Sequence, residues 1–288
     1  MEKQAEKHYP SVTGTTKDEH IGMVKEIFGT ITERYDFLNH FLSLRRDVVW
    51  RRFAARRMRF FNTYRFLDVA CGTGDLAVDV AICHPRTEIT GLDFVREMVA
   101  KARRKIEKKG LCSRIRLIEG DAVSLPFADG SFDVAAIAFG IRNIPDRIEA
   151  LREMTRVVAA GGQVMVLEMV LPRHRLFRRI YHFYLSKILP RLAQAFTGNP
   201  GAYLYLADSI SNFPAPEKFA ALMEEAGLVG VKKYALTMGI TYLFCGIKPD
   251  PRPPTPVFVT VSSVVLWECR SGDPDRRRPV FPGCASPN

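Results

Sequence analysis

The residues best suited to chemistry lie together in residues 66–78, FLDVACGTGDLAV, where Asp68, a Gly72-Thr73-Gly74 turn and Asp75 separate an apolar segment from a helical one. Residues 64–70 read as a buried strand and residues 76–81 resume at helical spacing, so the glycines fall at a strand-to-helix turn. Gly72 and Gly74 would let a ligand approach the main chain with no Cβ in the way. A lone Gly-x-Gly is weak, because many such turns serve only the chain. Support comes from a second apolar strand, residues 88–92, which ends in Asp93 about 20 residues further on, where an open α/β sheet places the acid that holds a ribose diol. Two kinds of cofactor use such a crevice. The pyrophosphate of a dinucleotide wants bare N–H groups and is repelled by carboxylates. S-adenosylmethionine brings a sulfonium and an ammonium instead. Asp68 before the turn and Asp75 after it favour those cations, and select S-adenosylmethionine.

The elements that position these residues recur in order. A third strand, residues 115–119, ends in Gly120-Asp121-Ala122, and a fourth, residues 132–139, follows the turn at 127–131. Arg142 and Asn143 come just past the fourth strand, and Glu168 ends a fifth, so all three fall at the carboxyl edge of the sheet. Upstream, Ile21, Val24, Ile27, Phe28 and Ile31 are at helical spacing, and residues 21–61 read as two or three helices capping the crevice. Residues 1–20 lack periodicity and are expected to be mobile. Residues 173–227 read as helices inserted before the last two strands, 231–236 and 241–247. After Pro249 the chain turns rich in Pro, Arg and Gly, and residues 249–288 are expected to be disordered, although 257–267 could form a hairpin or an edge strand.

At 288 residues the chain can bury a large core, and one domain with appendages is the simplest organisation. Its formal charge of +11 is uneven. Residues 169–207 contain no acid, while Arg173, Arg175, Arg178, Arg179, Lys187 and Arg191 interleave with apolar and aromatic residues. A second basic concentration runs from Arg45 and Arg46 through Arg51, Arg52, Arg56, Arg57 and Arg59 to Arg65. A solvated helix face accounts for such stretches, contact with anionic lipid headgroups accounts for them more sharply, and nucleic acid would account for the charge too. No run of 18 uncharged apolar residues implies a membrane span, and the N-terminus is too polar for a signal peptide. The six cysteines form no C-x-x-C pair and read as reduced thiols of a cytosolic protein. No histidine or cysteine has metal-ligand spacing, and no metal is expected.

The segments VACGTGDLA, GLDFVREMVAKAR, GDAVSLPFADGSFD, FGIRN and GGQVMVLE together resemble a class I methyltransferase. With RYDFLNHFLSL, FGIRNIPD, YLYLADSISNFP and TMGITYLFCGIKP, residues 21–248 are more narrowly similar to the ubiquinone and menaquinone C-methyltransferases. The resemblance implies a Rossmann-like α/β fold with a mostly parallel seven-stranded sheet, S-adenosylmethionine as cofactor, and methylation of the quinol ring of a prenylated precursor. It carries Thr73 to the methionine portion, Asp93 to the ribose, and Asp121 and Ala122 to the adenine. Ala138 falls on a further contact where some members have Ser, so that hydroxyl contact cannot be made. Arg142 and Asn143 are implied to line the substrate pocket, and Tyr35, Asp36 and Asn39 to belong to a lid on its substrate side.

A quinol carbon becomes nucleophilic when an adjacent hydroxyl loses its proton, so the site needs alignment, a proton route and stabilisation of phenolate charge. Arg142, whose pKa exceeds about 12, suits anion stabilisation or polarising a water, not proton abstraction. Tyr35 and Glu168 are the proton-handling candidates; a core aromatic, a helix-cap partner and a turn-capping arginine are the plain structural readings of Tyr35, Glu168 and Arg142. Arg45-Arg46 departs from the small apolar pair common in the family and alters the lid. The N-terminal motif leans to demethylmenaquinol over the ubiquinone precursor. The basic stretches, with a substrate whose tail lies in the bilayer, point to a cytoplasmic protein in peripheral contact with the inner face of the cytoplasmic membrane; no nucleic acid is expected, and a homodimer is left open. The alternatives are an RNA methyltransferase, against which FGIRNIPD lacks the Asn-Pro-Pro-aromatic motif, and a non-catalytic S-adenosylmethionine-binding scaffold.

Overall fold

Alternation along the central strands decides the architecture. In β1 (Arg65–Val69), Phe66 faces one side of the sheet and Leu67 and Val69 the other; in β4 (Phe132–Ala138), Val134 and Ala136 oppose Ala135 and Ile137; in β5 (Val158–Met169), Met165 and Leu167 oppose Val164 and Val166. Strands buried on both faces need helices on both, and that is the layer arrangement of a doubly wound α/β fold. The computed structural model describes residues 15–188 and 201–251, all within the unit Met1–Pro251. The expectations for residues 1–14 and for the tail from 252, including the hairpin at 257–267, lie outside the described residues.

The sheet is completed by β2 (Glu88–Asp93), β3 (Ile115–Glu119), β6 (Val229–Leu236) and β7 (Thr241–Ile247), in the order β3-β2-β1-β4-β5-β7-β6. Pairs β1·β2, β2·β3, β1·β4 and β4·β5 are parallel, and β7 runs antiparallel to both neighbours. The order reverses between β1 and β4, and an open sheet of this kind binds ligands outside its carboxyl edge at such a switch point. One face is covered by α6 (Arg147–Val157) and α9 (Pro216–Glu225), the other by α3 (Arg46–Ala55), α4 (Asp75–Cys83) and α5 (Arg96–Lys108).

A third apolar cluster joins α1 (Lys17–Ile31), α7 (Arg175–Phe183) with the π-helical turn Tyr184–Ile188, and α8 (Gly201–Ser211), through Val24, Ile27, Tyr181, Leu185, Tyr205 and Ile210. Phe94 after β2 and Met169 at the end of β5 pack against it, so this helical cap sits on the carboxyl edge. α2 (Tyr35–Leu42) links α1 to α3 after a 3-10 turn at Thr32–Arg34. α1 begins at Lys17, four residues before the expected Ile21, because Thr16 and Glu19 form a capping box: Thr16 Oγ1 accepts from Glu19 N, and Glu19 Oε2 accepts from Thr16 N at 2.9 Å.

Candidate active site

Among the described residues the carboxyl edge holds a cavity, open to solvent on one side. Its wall at one end comes from the loops after β1, β2 and β3. Gly72 lies at φ +54, and a Cβ built there would meet nothing within 4 Å, because it would point into the open space of the cavity. Its N–H donates to Asp93 Oδ2 at 2.7 Å, while Val95 N–H donates to Asp93 Oδ1 at 2.9 Å. Burial pushes the Asp93 carboxyl up to about 6 against the effect of these N–H groups, which favour its charged form. Asp121 and Ala122 line the wall beyond Asp93, and Asp121 Oδ1 accepts Val123 N–H at 3.1 Å. Ala70, Ala138 and Gly140 keep the floor low.

The other end is walled by Tyr35, Phe28, Asn143 and Ile144, with Ile21 and Val24 of α1 alongside. Tyr35 packs edge-on against Phe28 and takes a hydrogen bond from Asn39. Burial raises its pKa, with Arg142 pulling the other way, so the phenol is protonated at neutral pH and presents a donor.

Five residues expected at the site turn away from the cavity. Asp68 is buried beneath the loop, where Oδ2 accepts Ala77 N–H at 3.0 Å, and burial pushes its carboxyl up to about 8. Thr73 is buried as well: its hydroxyl donates to Asp36 and accepts from Lys105 Nζ at 2.9 Å. Gly74 caps α4 at φ +79, and a Cβ there would stand 3.4 Å from Ala102 Cβ, so it serves the packing of α4 on α5. Glu168 is fully buried and carries no free base, since it accepts from Arg142 Nη1 at 2.7 Å, Arg142 N at 3.2 Å and Met169 N at 2.9 Å. Arg142 is correspondingly held behind the wall: Nη1 also donates to the Phe139 carbonyl, and Nε has no partner among the described residues. Its charge still reaches the cavity, lowering the pKa of Tyr35 against burial.

Asp68 and Asp75 therefore offer no free carboxylate to the cofactor's cations. Asp68 is sequestered, and Asp75 is bound by Lys105 Nζ at 2.6 Å and by Arg51 at 3.3 Å. Lys105, which no sequence pattern singles out, also binds Asp36 at 2.8 Å and so ties α2 to the cofactor loop. Burial opposes ionisation of Asp36, but the Lys105 and Thr73 hydrogen bonds outweigh it and keep its pKa low. Much of the second basic concentration is likewise structural, with Arg51 buried among Asp47, Asp75 and Asp79 and Arg57 stacked 3.5 Å over Phe53. Cys71 packs under Gly91, and burial pushes its thiol well above the usual range, which makes it inert. Among the described residues no group of His, Cys, Asp and Glu could hold a metal ion.

The ubiE/COQ5 methyltransferase family model matches residues 13–248. The chain belongs to this family. A ubiquinone/menaquinone biosynthesis C-methyltransferase from Geotalea uraniireducens is 43% identical over 226 residues, 78% of this chain and 96% of that one. A demethylmenaquinone methyltransferase from Thermus thermophilus is 44% identical over 223 residues, 77% of this chain and 100% of that one. Among solved structures, the S-adenosylmethionine-dependent methyltransferase SibL superposes with a TM-score of 0.55 at 20% identity, covering 75% of this chain and 58% of that one. Phosphoethanolamine N-methyltransferase 2 from Haemonchus contortus, solved with S-adenosylhomocysteine, gives 0.52 at 15%, covering 69% and 52%. The fold is that of class I methyltransferases, and the family uses S-adenosylmethionine. The residues present fit that group: Gly72 leaves main chain open to it, and each Asp93 oxygen that accepts one N–H keeps a lone pair for a ribose hydroxyl.

Proposed function

We propose that this protein methylates a ring carbon of a prenylated quinol, with demethylmenaquinol as the preferred substrate. The observation that carries the reading is that one cavity joins the Gly72–Asp93–Asp121 wall to the Tyr35–Asn143 wall and is lined between them mainly by apolar side chains. S-adenosylmethionine, when bound, supplies the electrophilic methyl group. Asp93 would hold its ribose, Asp121 and Ala122 would border the adenine, and Ala138 would give the floor. At the other end Tyr35 would donate to one quinol oxygen and Asn143 would fix its neighbour. Arg142 would stabilise developing phenolate charge through the wall, in a low dielectric where a charge acts strongly. Apolar walls exclude water and suit an aromatic ring with a prenyl tail.

The test is to incubate the protein with methyl-labelled S-adenosylmethionine and, separately, a reduced short-chain demethylmenaquinol, a benzoquinol analogue and total RNA. Label in the naphthoquinol supports the reading. Label in the benzoquinol alone moves the substrate to the ubiquinone branch. Label in RNA alone overturns the quinol, and cofactor binding without any product favours a scaffold.

The same reading places the protein on an anionic membrane surface. On α7, Leu176, Ile180 and Phe183 are spaced i, i+4, i+7 and are 62, 56 and 57% exposed, with Arg175, Arg178 and Arg179 beside them. The opposite face is anchored through Tyr181 in the cap. An apolar stripe flanked by arginines suits a helix lying in a headgroup layer, and no helix of the described residues is long and apolar enough to cross a membrane. Ile180→Glu with Phe183→Glu should abolish co-sedimentation with phosphatidylglycerol vesicles. Equal binding of the unaltered protein to phosphatidylcholine vesicles would rule out a role for the arginines.

A further inference from the structure

Behind the Asn143 wall stands a buried chain of polar groups that the reaction as described does not use. Tyr205 of α8 donates from its hydroxyl to Asn143 Oδ1 at 3.1 Å, and the same hydroxyl lies 3.3 Å from Nε2 of His20 on α1. Both side chains are buried, with their rings edge to face at 6.1 Å. The main-chain carbonyl of Asn143 faces the His20 ring and favours its protonated form. On its far side His20 borders a second pocket, open to solvent and lined by Thr15, Thr16, Lys17, Arg147 and Asn212. Two helices and a turn thus converge on one amide, with a titratable ring between that amide and water.

We propose that His20, acting through Tyr205, sets which end of the Asn143 carboxamide faces the substrate. The number of donors decides the orientation, given the proposed role of Asn143 at the quinol. A phenol has one proton and an amide has an acceptor end and a donor end. A neutral imidazole that gives its single N–H to the Asn143 carbonyl leaves Nε2 as an acceptor. The Tyr205 proton then goes to His20, the Tyr205 oxygen accepts from the Asn143 NH₂, and the Asn143 oxygen is turned to the cavity, where it accepts a quinol hydroxyl. A cationic imidazole donates at both nitrogens. The Tyr205 proton then goes to Asn143 Oδ1, the contact present in the structure, and the NH₂ end faces the cavity, where it cannot accept that hydroxyl. His20 is therefore a positioning residue, and its protonation disfavours substrate binding in the reactive orientation.

The groups around the ring favour its neutral form, so at neutral pH the Asn143 amide is expected turned over from the orientation in which Tyr205 donates to Oδ1. Arg147 of α6 faces it, and Lys17 of α1 stands near but is paired with Asp146 at 2.8 Å. Tyr205 is in turn surrounded by Arg142, Arg147, Asp208 and Glu168, and burial pushes its phenol up to about 12, so the hydroxyl keeps its proton. Burial first, and Arg147 after it, lower the His20 pKa from its usual value, with the Asn143 carbonyl opposing. Asp93 and Asp68, pushed up by burial to about 6 and about 8, also titrate in this range, but both belong to the cofactor loop, so saturating cofactor and the His20→Gln control separate them from the ring.

Two measurements test this together. The first is kcat against pH at saturating S-adenosylmethionine, for the unaltered protein, Tyr205→Phe and His20→Gln. The second is NMR of the Asn143 side-chain NH₂ and the His20 ring across the same pH range, which needs no turnover. The unaltered protein should lose about tenfold in kcat per pH unit below the His20 midpoint, as expected for one ionisation, and the Asn143 NH₂ signal should shift with that midpoint. Tyr205→Phe should leave His20 titrating but flatten both the kcat limb and the Asn143 shift, and His20→Gln should abolish both. An Asn143 shift that persists in Tyr205→Phe, or an Asn143 signal indifferent to His20 in the unaltered protein, overturns the proposal. If no quinol is methylated, the function proposed above fails while the NMR titration still decides the coupling.

Discussion

The two ends of the cavity are built in different ways. At the Asp93 end the wall is mainly chain: Gly72 with its open face, the Gly72 and Val95 N–H groups converging on one carboxylate, and Asp121 in a short turn, all within the loops after three adjacent parallel strands. At the Tyr35–Asn143 end the wall is side chain, delivered by α1, α2 and the turn after β4, and backed by Tyr205 of α8 and by the Arg142–Glu168 pair. A backbone wall is fixed by local turn geometry and tolerates change around it. A side-chain wall depends on partners far apart in sequence, so a single substitution behind it should propagate further.

The buried ion pair gives the largest expected effect. Glu168→Ala leaves the Arg142 cation uncompensated in the interior, and unfolding in urea should show a loss of about 3–5 kcal/mol together with loss of methyl transfer. The double variant Arg142→Met, Glu168→Met removes both charges and should recover most of that stability, because an apolar pair of similar volume is often at least as stable there. It should not recover turnover. Full activity in the double variant would mean that the pair is scaffolding alone and that the two ends differ less than their construction suggests.

At the other end, Asp93→Asn should weaken S-adenosylhomocysteine binding by about 10–100-fold in calorimetry, the value of one or two hydrogen bonds to a charged acceptor. Stability should move far less than in the Glu168 case. The folded value of about 6 lies above the unfolded one, so this group's contribution to stability is present below about pH 3.9 and lost as pH rises through about 6. At pH 7.5 the Asn variant escapes that penalty but leaves one of the Gly72 and Val95 N–H groups without an acceptor, so the two effects should largely cancel, and cofactor affinity of the unaltered protein should decline as pH falls below about 6. Asp68→Asn, which keeps an acceptor for Ala77 N–H, should weaken the cofactor less than Asp93→Asn; a larger loss would return Asp68 to the site.

This contrast also explains what could be read in the sequence. The strands, the switch point, Gly72, Asp93, Asp121 and the aromatic lid were legible because each is announced locally, by period-two burial, a turn glycine or an acid at a strand end. The roles of Asp68, Thr73 and Glu168 were not, because the same residue type at the same strand end can point into the crevice or under it, and the choice is made by partners 9 to 37 positions away: Ala77, Arg142 and Asp36. Lys105, Tyr205 and His20 had no local signal for their partners at all. For His20 there was at least one for its helix, since Thr16-x-x-Glu19 marks an N-terminus four residues upstream of where hydrophobic spacing alone begins it.

Asp36 tests the joint between the two ends. Asp36→Asn removes the charge that Lys105 holds and loosens α2 from Thr73. The pair is partly solvent-screened, so about 1 kcal/mol, or roughly fivefold, is expected. It should appear as a raised KM for the quinol, since Tyr35 moves with α2, with cofactor affinity little altered. An equal loss at both ligands would show that the latch shapes the cofactor loop itself.

Thr16→Ala should give the smallest effect. The capping box contributes about 1 kcal/mol to the start of α1, but Met23, Val24 and Ile27 remain buried in the cap and hold the rest of the helix. Amide exchange should therefore quicken in the first turn of α1 and hardly change beyond Ile27. His20 sits at the end of that first turn, with its N–H bonded to the Thr16 carbonyl at 3.0 Å. Fraying there loosens the ring that meets Tyr205 while leaving Asp93 and Gly72 untouched. The variant should thus lower kcat by less than about threefold, with no change in cofactor affinity. A shift in cofactor affinity instead would mean that the side-chain wall and the backbone wall are coupled through α1, and that the division between them is one of construction only.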